Sequence, residues 1–204
     1  AVTAAEKGFT VTGFDVDPSK MTLLDAGESY IGAVRSETLA EVTKARRFFW
    51  TTDFTGLKTC DVIVICVPTP LTRHREPDLS FIEQTAETIS ANLKAETLVV
   101  LESTTFPGTT EEVLTPILAK SGLKAGADFF VAFSPEREDP GNAHFRTATI
   151  PKVVAGDGAI SGALVSAFYG AVVDRIVPVS SARTAEAVKI TENIFRAVNI
   201  ALVN

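Results

Sequence analysis

The chain is poor in the residues that build metal sites and disulfide frameworks. Its 204 residues hold two cysteines, Cys60 and Cys66, and two histidines. Zinc sites draw on Cys and His clustered at short spacing, and no such cluster exists here. Both cysteines read as structural thiols. Cys66 lies in "VIVICVP", which has the pattern of a buried strand, and Cys60 just precedes it. Free thiols suit a reducing compartment, so a cytoplasmic location is expected. No apolar run approaches the roughly 18 residues of a membrane span, and no secretory signal is visible. Positive charge is also scarce: 19 Lys and Arg stand against 25 Asp and Glu, a net charge of -6. That argues against a bulk nucleic-acid binder and against adhesion to an acidic membrane. It leaves room for a small anion gripped by a few local cations. Boundary signals are lacking as well. "AVTAAEKGF" reads as a helix already under way, closed by Gly8 with no N-cap before it. "NIALVN" is still in helical rhythm. Both ends are expected to belong to a longer polypeptide.

What is present is a globular composition, 46% apolar and 22% charged, with enough apolar residues for a sizeable core. Strand-like and helix-like segments alternate. "FTVTGF" precedes the short helix "PSKMTLLDAG"; "SETLAEVTKARR" is a second helix. "DVIVICV" is apolar on both faces, as a central strand is. "LSFIEQTAETISANL" has helical spacing, followed by the strand "TLVVL", the helix "TTEEVLTPILAKSG" and the strand "DFFVAF". "KVVAG", "AISGALVSAFYGAV" and "RIVPV" continue the alternation. The expected class is α/β with a mainly parallel sheet. Residues 181–204 form one helical pattern without Gly or Pro, with Ser181 as its cap. A domain boundary is therefore expected near Val179, giving segments 1–179 and 180–204.

Polar residues recur where strands end. Asp15 closes the first strand, where an acidic side chain can accept hydrogen bonds from an adenosine ribose and repel a 2'-phosphate, favouring NAD over NADP. Lys20 is within reach of the same group. The plain alternative is a polar strand end before a capped helix. Thr69 sits between Pro68 and Pro70 at the end of another strand. "ESTTFPGTT" places Ser103 and Thr104 after "TLVVL". Helix capping accounts for Thr109, with Glu112 three residues on completing a capping box, but not for Ser103 and Thr104. "FSPEREDPGN" crowds Glu136, Arg137, Glu138 and Asp139 between two prolines, either as a solvated loop or as a rigid carboxylate with an arginine facing an anion. In "KITENIFRAVN", Lys189, Asn193 and Arg196 share one helix face. A lysine and a neutral amide can steady an oxyanion, and an arginine can grip a phosphate.

Taken in order, "GFDVDPSK", "VPTPLTRHREPDLS", "ESTTFPGTTEE", "SPEREDPGN", "IPKVVAG" and "TAEAVKITENIFRAVNIALVN" resemble the UDP-sugar 6-dehydrogenases, most closely the branch that oxidises UDP-N-acetylhexosamines such as UDP-N-acetylglucosamine. The resemblance implies a Rossmann-like parallel sheet with helices on both faces, then the start of a long dimerisation helix. It implies a homodimer that uses two NAD per sugar to take the C6 alcohol to a carboxylate, through a thiohemiacetal on a cysteine. Asp15 and Lys20 would hold the NAD ribose, with Thr69 and Thr104 further along the cofactor. Thr104 would also hold a water or base near C6. Glu136 would assist thioester hydrolysis, Arg137 and Glu138 would lie against the substrate, Lys189 and Asn193 would steady charge on the C6 oxygen, and Arg196 would contact the UDP-sugar. The family cysteine falls beyond residue 204, and the first strand and phosphate-binding glycines fall before residue 1. These residues alone are therefore expected to be inactive. Three other readings stay open: a UDP-glucose or UDP-N-acetylmannosamine enzyme, a hydroxyacid dehydrogenase of the 6-phosphogluconate type, and a non-catalytic module that dimerises through residues 181–204.

Overall fold

The computed structural model describes residues 1–32, 34–136 and 150–204. They fall into two compact units, one within residues 1–56 and the other within residues 57–136 and 150–204.

In the first unit α1 (Val2–Glu6) ends where Gly8 takes a left-handed φ of 97°. The amides of Gly8 and Phe9 return to the carbonyls of Ala5 and Ala4, which satisfies the helix end as the sequence anticipates. Strand β1 (Val11–Phe14) follows, then α2 (Pro18–Asp25). Asp17 caps α2 by accepting from the Ser19 amide at 2.9 Å, and Pro18 takes a first-turn position where its missing N–H costs nothing. After α3 (Ser36–Lys44), β2 (Phe48–Thr51) pairs in parallel with β1, Val11 opposite Phe48 through Phe14 opposite Thr51. The run "FFWT" is too short for a clear alternation, so sequence pattern does not single out β2. Its place is set by packing. Phe48 joins Ala5, Leu24, Leu39 and Val42 in one buried cluster.

The second unit holds a five-stranded sheet in the order β3 (Val62–Ile65), β4 (Leu98–Leu101), β5 (Phe130–Phe133), β6 (Lys152–Gly156), β7 (Ile176–Pro178). All four residues of β4 are buried, as expected of a strand flanked on both edges and covered on both faces. β3, β4 and β5 are parallel and level: Val62, Leu98 and Phe130 align, as do Ile65, Leu101 and Phe133. The expected parallel sheet is interrupted once, because β5 and β6 run antiparallel. Around the strands are α4 (Ser80–Ser90), α5 (Thr115–Leu118), α6 (Ala159–Val172) and α7 (Ala182–Val203). The helix expected over "TTEEVLTPILAKSG" is not regular. It opens with a π-turn at Thr110–Leu114, continues as α5, and closes in a 3₁₀ turn at Ala119–Ser121. Pro116 supplies the reason: it has no N–H to donate and its ring crowds the carbonyl one turn back, so the backbone widens there. Among the described residues, no helix is long and apolar enough to cross a membrane.

α6 lies directly on β6. A Cβ on Gly156 would stand 2.0 Å from the Gly162 nitrogen and 2.3 Å from the Ser161 carbonyl carbon, both backbone atoms. No rotamer change relieves such an overlap. Gly156→Ala should therefore cost about 3 kcal/mol or more and lower the melting temperature. Gly170→Ala, with open space around its would-be Cβ, should be neutral or stabilising by up to about 1 kcal/mol. Equal melting temperatures for the two variants would refute this close approach.

Candidate active site

Because β3, β4 and β5 are level, the residues just past Ile65, Leu101 and Phe133 come together at one edge of the sheet. The amide of Glu102 bonds the carbonyl of Ile65 at 2.9 Å, and that of Ser134 bonds Leu101 at 3.0 Å, carrying the alignment past the strand ends. Cys66, Glu102 and Glu136 are thereby gathered from three strand ends. Lys152, the first residue of β6, arrives from the antiparallel partner.

Lys152 is 5% exposed. Its ammonium lies 2.7 Å from Glu102 Oε1 and 2.8 Å from Glu136 Oε2. Burial disfavours the charge, but the two carboxylates outweigh it and raise the pKa above that of an ordinary lysine. Tyr169 of α6 donates its hydroxyl to Glu102 Oε1 at 2.5 Å, and its ring lies 5.1 Å below the ammonium. Burial first, and the Glu102 charge second, hold that phenol well above its usual pKa, so it stays a donor. Cys66 Sγ donates to Glu102 Oε2 at 3.3 Å. The sequence places Cys66 inside a buried strand. Instead the residue is exposed, one position past the last paired residue of a strand at the sheet's edge. Protein nonetheless surrounds the sulfur closely enough that burial, then the Glu102 charge, push the thiol far up. It is a poor nucleophile at neutral pH.

From α7, Lys189 donates Nζ to the Glu136 backbone carbonyl. Burial lowers its pKa below the ordinary lysine value, opposed by the charges of Glu136 and Glu192 and assisted by Arg196 and Lys152. Asn193 is half-buried one turn further along, and Arg196 is exposed. Thr69 donates its hydroxyl to the Thr104 carbonyl at 2.7 Å, which ties two strand-end loops together. Thr104 is exposed, and with Thr69, Leu71, Pro77, Thr105, Phe106 and Ile190 it lines a cavity of about 170 Å³. Ser103 is spoken for: its hydroxyl bonds the Val67 carbonyl at 2.7 Å. In the first unit, Asp15 and Lys20 form an ion pair at 2.5 Å, and Asp15 Oδ1 also accepts from the Asp17 amide at 3.0 Å. That carboxylate sits at the end of β1 and keeps part of its surface open. Arg137 and Glu138 lie outside the described residues.

Several site-forming residues escape sequence reasoning. Thr105 is 3% exposed, and its hydroxyl, buried beside the cavity, finds no hydrogen-bond partner among the described residues. A donor left unsatisfied there is available to a bound group. Lys152, Glu102 and Tyr169 are missed because each looks like an ordinary strand or helix residue; the only signal was a lysine opening the apolar run "KVVAG". Glu186 is the fifth. It is fully buried and accepts from the Gly108 amide at 2.6 Å, the Thr110 amide at 2.8 Å and the Thr110 hydroxyl at 2.6 Å. This corrects the capping expectation. The Thr109 hydroxyl turns back to the Phe106 carbonyl at 2.7 Å and caps nothing, while Glu112 pairs with Arg183 at 2.6 Å. The carboxylate from α7 caps the turn in its place. Among the described residues, no group of His, Cys, Asp and Glu is arranged to hold a metal ion.

Level parallel strands covered by helices, with polar residues at their ends, define a Rossmann-like α/β fold. The chain belongs to the UDP-glucose/GDP-mannose dehydrogenase family: residues 1–173 match that family's NAD binding domain. It is 37% identical over 197 residues to the UDP-N-acetyl-D-glucosamine 6-dehydrogenase of Pseudomonas aeruginosa, covering 96% of this chain and 46% of that protein. It is 40% identical over 206 residues to Protein CapL of Staphylococcus aureus, covering 100% and 47%. The solved structure of the UDP-D-ManNAc dehydrogenase of Pyrococcus horikoshii superposes with a TM-score of 0.91 at 34% identity, over 99% of this chain and 48% of that one. The chain thus spans about half the length of the relatives it matches.

The Glu186 contact is testable. Glu186→Ala leaves two buried backbone donors at Gly108 and Thr110 without a partner and should destabilise by about 3 kcal/mol in urea unfolding. Arg183→Ala, which breaks only exposed pairs to Glu111 and Glu112, should cost less than about 1 kcal/mol. A Glu186→Ala cost as small as that of Arg183→Ala would sink the capping role.

Proposed function

We propose that the polypeptide carrying this chain oxidises the C6 alcohol of a UDP-N-acetylhexosamine, UDP-N-acetylglucosamine foremost, to the uronic acid. One sugar, two NAD⁺ and one water give the carboxylate, two NADH and three protons. The observation that carries this reading is the meeting of Lys189 with Glu136 at the sheet edge: a lysine from the long helix, with a lowered pKa, gripping the residue that holds an open carboxylate. When bound, NAD accepts the hydride. The partly open carboxylate of Asp15 suits a ribose diol, and Lys20 beside it suits the same sugar or a phosphate. Thr69 and Thr104 border the cavity where the cofactor's further end would lie.

Hydride departs from an alcohol carbon only as the alcohol loses its proton. Lys189 and Asn193 hold the C6 oxygen as negative charge builds there, and the depressed pKa of Lys189 eases proton exchange at its Nζ. Thr104, with the unsatisfied hydroxyl of Thr105 next to it, orients a water. Glu136 activates that water against the acyl intermediate. The acyl carrier would be a cysteine contributed beyond residue 204, since Cys66 is held protonated and Cys60 is likewise raised by burial. Arg137, Glu138 and Arg196 are assigned to the UDP-sugar. The apolar side chains exposed on the last turns of α7, among them Phe195, Val198 and Leu202, suit the start of a dimerising helix over residues 180–204. The 37% identity to a glucosamine enzyme supports the acetylglucosamine substrate. The mannosamine epimer is the second reading, favoured by the 34%-identical Pyrococcus relative.

The test is NADH production by the full-length polypeptide across a panel of UDP-sugars. Two NADH per sugar, with UDP-N-acetylglucosamine the fastest, is the expected result. One NADH per sugar would mark a simple alcohol dehydrogenase, and no NADH at all would favour the non-catalytic module. Lys189→Ala should lower kcat by roughly a hundredfold or more while leaving NAD affinity unchanged; undiminished turnover would remove Lys189 from this role.

A further inference from the structure

Lys152 holds more negative charge than its burial requires. Glu102 alone would neutralise the ammonium: it is 2.7 Å away, its side chain is 11% exposed, and Tyr169 and Cys66 fix its two oxygens. The second carboxylate, Glu136, is different in kind. Its side chain is 40% exposed, yet it too lies 2.8 Å from the ammonium. Two carboxylates on one lysine repel each other, so satisfying the lysine does not explain why Glu136 is there. The benefit falls on Glu136. A fixed cation beside a partly open carboxylate keeps it ionised and restricts it to one rotamer. Its main chain is held as well, by Lys189 from α7. The residue is gripped at both ends from two elements, while its side chain stays 40% exposed.

We propose that Lys152 is a positioning residue that sets the orientation and the ionised state of the Glu136 carboxylate, with Glu102 and Tyr169 as its fixed anchor. This rests on the reading above of Glu136 as the group that activates water. Among the described residues, the charged and titratable groups around the pair include Glu102 from the end of β4, Cys66 from the end of β3, Tyr169 from α6 and Lys189 from α7, the last itself flanked by Glu192 and Arg196. Among these described groups, Lys152 places a cation against the Glu136 carboxylate and ties it to the buried end of β4.

The experiment uses the full-length polypeptide with NAD and its preferred UDP-sugar. Lys152→Met alone leaves Glu102 and Glu136 uncompensated and invites misfolding, so it is paired with Glu102→Gln. Lys152→Gln with Glu102→Gln is a second folded companion that keeps hydrogen bonding but no charge. In both, kcat should fall roughly tenfold to a hundredfold with KM for the sugar little changed. The acidic limb of the kcat–pH profile should move up by about one unit, because a carboxylate without its cation binds a proton more tightly. Lys152→Arg should keep the limb in place. Adding Glu136→Gln to either paired variant should cost little beyond Glu136→Gln alone, since both act through one group. A paired variant that binds NAD, melts like the parent and keeps the parent kcat and pH profile, while Glu136→Gln is impaired, overturns the proposal. If Glu136→Gln itself turns over normally, what fails is the assignment of Glu136.

Discussion

An ammonium leaves water only where opposite charge and hydrogen bonds replace the solvent it loses. Lys152 meets that condition through Glu102 and Glu136, and in doing so fastens the ends of β4 and β5 to the start of β6. Tyr169 extends the connection to α6. The site edge depends on this pair of ion contacts. Without them, two carboxylates carried to the same place by the level register of β3, β4 and β5 would repel. With them, the edge presents one sequestered carboxylate, Glu102, and one more exposed, Glu136.

The long helix is seated by a different buried charge. Glu186 gives both carboxylate oxygens to the turn after "ESTTFPG", taking two backbone amides and a hydroxyl. Lys189 follows one turn later on the same helix and reaches the Glu136 carbonyl. The contact that satisfies a helix start thus also sets where the lysine falls. The Glu186 and Lys189 contacts share α7, and moving the helix would disturb both.

The two compact units carry different sets of polar residues. The first carries the strand-end aspartate and its lysine, built on a two-stranded parallel ladder and a small cluster of apolar side chains. The second carries the carboxylates, the lysines and the hydroxyl-lined cavity. Cys66 illustrates how position alone misleads: it lies at the site edge, yet the same desolvation and negative charge that suit Tyr169 to donate leave the thiol inert.

Much was legible before any coordinates. The alternation of elements, the cap at Ser181, the left-handed Gly8 and the polar strand ends at Asp15, Thr69, Thr104 and Glu136 all follow from local pattern, because periodicity and turn chemistry act over a few residues. The family resemblance rested on the same ordered strand ends. What local pattern missed or misread shares one trait. Glu186 caps a turn 76 residues away, displacing the local cap expected of Thr109, and Tyr169 reaches Glu102 across 67 residues. Lys152 finds Glu136 only because β6 runs antiparallel to β5. The sequence by itself determined most of the segments that become strands and helices, β2 apart, and which polar residues stand at their ends. Only the tertiary structure decided which charges meet, because burial and Coulomb attraction depend on distances that strand register creates and chain order does not record.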